Sequence, residues 1–438
     1  MSKDSTRIIT TTGLLAGLML VTAMPAIADT SLETSAARME SRIEALSQFG
    51  RNSDGGVDRV AYSEADLAGR GFIIDEMKAL GLNVSIDTAG NILGRRDGTE
   101  PGLDPILFGS HIDSVPGGGN YDGDVGVIGA LEVISILQEN DIHTRHPLEV
   151  VVFSDEEGGM PGSLGMSGRF EPENLQNKSH AGLTMGEGID RIGGAHQRIN
   201  EAARTGNVHA FVELHIEQGG LLEQQGLEIG VVEGIVGIRW WNVKVTGMAN
   251  HGGTTPMPGR RDALVASARL ITAINEKTTA MEGRQVATVG KIQAFPGAPN
   301  VIPGRVEFSL EIRDLESAKM QQVFDLVSAE ADRIAEDMDV SFEFAAIMDL
   351  HPAPTDPRMR ELIEETVNDL GFSYQLMPSG AGHDAQNLAK ITPTGMIFVP
   401  SRDGISHSPQ EYTAPLDMAR GAHVLYRTIL ELDERVFE

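Results

Sequence analysis

The sequence has no cysteine. A disulfide framework, a thiolate-held metal and a cysteine nucleophile are therefore excluded, and any metal must be held by histidine, aspartate and glutamate. Basic residues are scarce: 35 lysines and arginines face 63 aspartates and glutamates, a formal net charge of −28. A field of that sign argues against nucleic acid and anionic membranes as partners and suits cations, metals included. Beyond the N-terminus no apolar run is long enough to span a bilayer. Internal repeats and low-complexity tracts do not stand out either.

What is there reads as globular. The chain has 438 residues, 41 % hydrophobic and 22 % charged, which is too long for one ordinary core and predicts two domains. The N-terminus differs from the rest. "MSKDSTR" is basic on balance, "LLAGLMLVTAMPAIA" follows, and Ala26-Ile27-Ala28 fits a small-residue cleavage site before Asp29. Residues 1–28 thus read as a signal peptide, which predicts an exported, periplasmic protein that leaves the membrane once cleaved. No twin arginine precedes the run, so general secretion is expected.

Apolar runs then alternate with helical spacing. "PILFG" (105–109), "LEVVVFS" (148–154), "AFVELHI" (210–216) and "GMIFVP" (395–400) read as buried strands, and Val127, Leu131, Ile134 and Leu137 recur at helical intervals. That rhythm predicts an α/β catalytic domain built on a mixed sheet, from residues 29–236 and 351–438. The intervening segment 237–350 reads β-α-β-β-α-β, the order of a ferredoxin-like unit, and is expected to be an inserted smaller domain.

Polar residues with metal-binding chemistry fall at the ends of those strands. His111 follows the first, Asp155-Glu156-Glu157 the second, His215 ends the third, and His407 lies in the loop after the fourth. Ligand sites of open α/β sheets form at the carboxyl ends of strands. Three acids in a row after a buried run would repel one another unless a cation holds them. With Asp122 of the loop "GSHIDSVPGGGNYDGDVGV" (109–127), the set His111, Asp122, Glu157, His215 and His407 offers nitrogen and oxygen ligands. It suits two divalent ions sharing one carboxylate, with zinc, manganese and cobalt all open.

Seven motifs occur in order: "GSHIDSV…GGNYDGDVGV", "DEEG", "ELHIEQGGLLE", "NHGGTTPMPGRRDA", "NVIPGRVEFSLEIRD", "SGAGHDAQ" and "GISHSPQE". From about residue 40 onward the chain resembles the hydantoinase/carbamoylase group of binuclear-zinc amidohydrolases, relatives of the aminoacylases and zinc carboxypeptidases. The resemblance implies that His111, Glu157, His215 and His407 bind the two ions and that Asp122 bridges them. It implies Asp113 as the partner orienting His111, and Glu156 as general base on the bridging water. It further implies that Gln218, His251, Asn300, Arg313 and the backbone at Gly382 contact substrate, with Arg313 clamping a carboxylate and His251 and Asn300 serving an oxyanion. His383 and Asp384 are left as a helix start or as support for the ligands. A homodimer joined through the smaller domain, acting as lid, is expected from the same resemblance.

The implied activity is hydrolysis of a linear C–N bond, first in an N-carbamoyl-L-amino acid, giving the amino acid, ammonia and carbon dioxide. Allantoate or another ureido acid, and an N-acyl amino acid or dipeptide, are the alternatives. Trp240 stands where allantoate hydrolases tend to carry an arginine, and His251-Gly252-Gly253 where the group usually has His-Ala-Gly. From a different class comes an exported two-lobed binding protein without turnover, disfavoured by the presence of every ligand and a base.

Overall fold

A computed structural model describes residues 34–435. The signal-peptide reading of residues 1–28 falls outside them. Among the described residues no helix is long and apolar enough to cross a membrane.

The larger sheet has nine strands. Its centre is parallel: Leu148–Phe153, Ile106–His111, Ala210–Ile216 and Thr394–Val399 lie side by side in that order. These are four of the apolar runs seen in the sequence. Every residue of each strand is buried, as β-branched strands covered on both faces should be. Because they run the same way, their carboxyl ends meet at one edge. Antiparallel strands flank them: Ile92–Arg96 beside Leu148–Phe153, and Ile229–Ile235 beside Thr394–Val399.

Helix Asp124–Glu139 packs on this sheet and on helix Pro415–Glu434. Its run from Asp124 to Leu137 is wholly buried, so it is apolar around most of its circumference. Arg59, also buried, fixes the start of that helix. Its guanidinium donates to the carbonyls of Leu46, Phe49 and Ile112 and to the Asp124 carboxylate.

Residues 237–350 form a second sheet of five antiparallel strands. Ile292–Phe295, Arg305–Asp314, Gly237–Thr246 and Ser341–Leu350 lie in that order, with Val286–Thr288 beside Arg305–Asp314. In chain order this is the 2-3-1-4 arrangement of a ferredoxin-like unit. Helices Ala263–Ala280 and Ser317–Met338 cover one face and share a core with Trp241, Val243, Val245, Phe308 and Leu310. The second strand of that order is split into two short ones, Val286–Thr288 and Ile292–Phe295. The break comes where the Lys291 N–H turns to the Ser309 hydroxyl at 3.1 Å.

Candidate metal centre

Asp122 lies at the middle of a carboxylate–imidazole cluster. Its Oδ1 is 3.1 Å from His215 Nε2 and 3.9 Å from His111 Nε2, and its Oδ2 is 3.1 Å from His407 Nε2. His407 Nε2 is in turn 3.4 Å from Glu157 Oε1. Among the described residues three metal-type groups occur: His111–Asp122–His215 and Asp122–Glu157–His407 share Asp122, and a third, Glu213–His215–His383, shares His215. All five residues expected to hold metal are thus brought together, although they come from four separate segments of the chain. His215 lies at the end of its strand, as expected, one residue before Ile216, whereas His111 is the last residue of the strand Ile106–His111 rather than following it.

Backbone contacts set the histidine tautomers. His111 Nδ1 is 3.0 Å from the Asp113 carbonyl, and His215 Nδ1 is 2.9 Å from the Ile216 carbonyl. Each Nδ1 carries a proton for that contact, so the neutral tautomer that binds a metal presents Nε2 to the cluster. The Asp113 carboxylate accepts the N–H groups of Glu156 and Glu157, both at 3.2 Å, and so holds the turn that presents the two glutamates. That turn uses left-handed backbone at Asp155, and Gln218 and His407 share this conformation, with φ of 51°, 57° and 54°. Three non-glycine residues in this region within one site mark a backbone shaped by its function.

The electrostatics call for cations. Burial drops the His111 imidazole to about 4, so it is neutral and available as a ligand. Burial, then the Asp122 charge, pushes Glu157 up to about 8. Glu156 is driven well above the usual carboxylate range by burial and by Asp384 and Glu157. Burial raises Asp113 to about 6. Burial also opposes the charge of Asp122, but His215 and His407 hold it well below the ordinary value. Moreover, His215 Nε2 and Glu157 Oε1 are buried without a hydrogen-bond partner of acceptable geometry. Orphaned ligand atoms facing a shared carboxylate fit divalent metal ions.

Two other residues complete the centre. Glu411 Oε1 accepts the N–H groups of Tyr121 and Asp122 at 2.9 and 3.0 Å, while Oε2 takes the Ser406 hydroxyl at 2.8 Å and the His407 N–H at 3.2 Å. Ser406 also donates to Asp122 Oδ2 at 3.1 Å. Sequence reading quotes both within "GISHSPQE" without giving either a role. An acid four residues past a ligand has no local signature when its partners are mostly backbone amides far away in the chain.

The expected substrate residues divide into groups. Gln218 Nε2 sits on Asp122 Oδ2 at 2.7 Å, at the cluster itself. His251 and Asn300 come together beside a separate two-stranded pairing of Asn250–His251 with Val301–Ile302, where Gly252 N–H donates to the Asn300 carbonyl at 2.8 Å. His251 is exposed, and its Nδ1 accepts from Gly253 and Thr254 at 3.0 and 3.2 Å. Its remaining Nε2 must therefore carry the proton. His251 is not part of the metal-type groups found among the described residues. Arg313 reaches across to the larger sheet's loop, donating to the carbonyl of Gly380 at 2.6 Å, two residues before Gly382. His383 is buried against His215, with ring centroids 4.5 Å apart, and its Nε2 is 2.8 Å from the Ser379 hydroxyl. Asp384 begins the short helix Ala385–Leu388.

A mixed-sheet α/β lobe with imidazoles and carboxylates gathered at the ends of its central parallel strands offers ligand sets for divalent metal ions. The profile of peptidase family M20/M25/M40 matches residues 107–431. An N-carbamoyl-L-amino acid amidohydrolase of Geobacillus stearothermophilus is 40 % identical over 401 residues, covering 90 % of this chain and 98 % of the relative. An allantoate amidohydrolase of Bacillus subtilis is 37 % identical over 396 residues, covering 89 % and 96 %. Among solved structures, a hydantoinase/carbamoylase family amidase from Burkholderia multivorans superposes with a TM-score of 0.87 at 37 % identity, covering 93 % of this chain and all of that one. The chain belongs to peptidase family M20/M25/M40 and, within it, to the hydantoinase/carbamoylase amidases.

Proposed function

We propose that this protein is a metal-dependent amidohydrolase that converts an N-carbamoyl-L-amino acid to the L-amino acid, ammonia and carbon dioxide. The observation that carries this reading is the position of Asp122, one oxygen toward His215 and the other toward His407, in a chain so similar to a carbamoyl-amino-acid hydrolase.

His111, Asp122 and His215 would hold one ion, and Asp122, Glu157 and His407 the other. Zinc fits this donor set best, with manganese or cobalt as alternatives. Divalent ions bound there would supply Lewis acidity and lower the pKa of a bound water. Glu156 would serve as general base toward the attacking water and as general acid toward the departing nitrogen. Its buried position, 3.7 Å from His111 Nε2, supports this role. His251, with its proton on Nε2, donates to the developing oxyanion, and Asn300 lies beside it. Arg313 takes the substrate carboxylate.

The allantoate alternative rests on the Bacillus relative; Trp240, in place of a second arginine, disfavours it. The test is ammonia release by the metal-reconstituted protein from a panel of N-carbamoyl-L-amino acids, allantoate, N-acyl amino acids and dipeptides. Turnover of dipeptides alone would overturn the reading.

Three further parts of the proposal concern the rest of the chain. Residues 237–350 act as a lid that also pairs two copies, and residues 1–28 direct export to the periplasm. The exposure of His251 supports pairing, since a second copy would bring it to a partner's substrate. Sedimentation of the purified protein tests the pairing. N-terminal sequencing of the exported chain tests cleavage before Asp29.

A further inference from the structure

The proposed carboxylate clamp already has a carboxylate on it. Arg313 and Glu311 are two residues apart on strand Arg305–Asp314, so both side chains leave the same face. The alternating burial of that strand puts Val306, Phe308, Leu310 and Ile312 in the core, and Glu311 and Arg313 on the opposite, open face. There Glu311 Oε1 accepts from Arg313 Nε at 2.7 Å and Oε2 from Nη2 at 3.2 Å. The pair is bidentate and about three-quarters buried, with 25 % and 23 % of the two side chains exposed.

A guanidinium has five N–H donors in a fixed plane. Glu311 uses the Nε hydrogen and one on Nη2, and the Gly380 carbonyl uses one on Nη1. One hydrogen on Nη1 and one on Nη2 are left. Arg313 is thus fixed at three points with two donors to spare. Trp240 lies directly across from Glu311 in the neighbouring strand, and its indole N–H is buried without a partner. A further unused donor therefore lies beside the clamp.

Resting on the Arg313 reading above, we propose that Glu311 is a positioning residue for substrate. It occupies the Nε edge of Arg313, locks the guanidinium plane, and directs the remaining Nη1 and Nη2 hydrogens to the substrate's α-carboxylate. A long, rotamer-rich arginine is held in place before substrate arrives, which lowers the ordering cost of binding. The same negative charge disfavours a second anionic group on the substrate. The site therefore takes N-carbamoyl amino acids with uncharged side chains in preference to acidic ones.

The test uses the metal-loaded full chain and the N-carbamoyl-L-amino acid it hydrolyses best. Glu311 is outside the hydrophobic core of the smaller sheet, and thermal unfolding of each variant, read beside the kinetics, checks that the fold is kept. Glu311→Ala is expected to raise KM by about 10-fold with a much smaller change in kcat, the pattern of lost uniform binding. The dissociation constant of the product amino acid, read by calorimetry, should weaken in parallel. Glu311→Gln keeps an acceptor for Nε and should recover most of the loss. It should also narrow the preference over N-carbamoyl-L-glutamate. An unchanged or lowered KM in Glu311→Ala overturns the inference, and so does a Gln variant no better than Ala. Arg313→Ala, assayed beside it, separates the two ideas. If its KM is unaltered, the clamp reading itself fails; if its KM rises while that of Glu311→Ala does not, only the role of Glu311 falls.

Discussion

Glu411 accepts the backbone N–H of Asp122 at 3.0 Å across a sequence separation of 289 residues. Through its second oxygen it also holds Ser406 and the N–H of His407, so one carboxylate ties the bridging loop to the last ligand loop. Outer partners of this kind typically contribute about 10–100-fold in metal affinity. Glu411→Ala should lose metal to that extent in a chelator competition titration. Glu411→Gln, which keeps one acceptor oxygen, should lose less. Equal affinity in all three proteins would reduce Glu411 to a loop anchor without influence on the metal.

Glu156 lies 3.7 Å from His111 Nε2 but belongs to none of the metal-type groups among the described residues. Glu156→Gln should lower hydrolysis about 10²–10⁴-fold while the metal content by elemental analysis stays unchanged. A near-normal rate at full metal occupancy would transfer the base role to another group.

The loop "GGGNYDGD" binds two requirements to one glycine. Gly123 has φ of 69°, and a Cβ there would come within 2.5 Å of the His111 ring. Gly117, in the same loop with φ of 68°, would meet nothing within 4 Å. Alanine is strained at both positive-φ positions, and more so at Gly123, whose ψ of −43° lies outside the left-handed helical region, but only Gly123→Ala also displaces His111. Thermal unfolding should therefore show a larger loss for Gly123→Ala, and metal content should fall in that variant alone. Matching behaviour of the two variants would mean that strain, not the imidazole contact, sets the need for glycine.

A pH signature is expected behind the site. Burial, opposed by the Arg70 charge and aided by that of Asp113, places Asp66 at about 6 against an ordinary value of 3.8. Between those values the folded protein keeps a proton that the unfolded chain has released, so this group's stabilising effect is lost as pH rises through the window. The difference is on the order of 3 kcal/mol between pH 4 and pH 7. Asp66→Asn can still accept the Tyr62 N–H, now 2.8 Å from Asp66 Oδ2, and cannot titrate. Urea unfolding of both proteins at the two pH values should show the wild type losing more stability than the variant as pH rises. Parallel pH profiles would place Asp66 at an ordinary value.

Much of this architecture is written in consecutive residues. Runs such as "LEVVVF" and "AFVELHI" announce buried strands because β-branched and apolar side chains in unbroken series suit a sheet covered on both faces. Once those strands are assigned, His111, Glu157, His215 and His407 fall at or near their carboxyl ends, and the lack of cysteine leaves only nitrogen and oxygen as ligands. The β-α-β-β-α-β order of residues 237–350 is equally legible, since each element there alternates or repeats with its own period.

Pairings across long separations could be decided only by the folded chain. Asp122 faces His215 with one oxygen and His407 with the other, Glu411 holds the amide of Asp122, and Arg313 meets the Gly380 carbonyl. Each depends on where two distant segments are carried by the sheet, and an aspartate that bridges looks the same in sequence as one that ends a turn. Glu311 and Arg313 are near neighbours, yet their pairing too escaped sequence reading. Alternation on a strand says that two side chains share a face, but their rotamers and the loop opposite determine which edge of the guanidinium is taken.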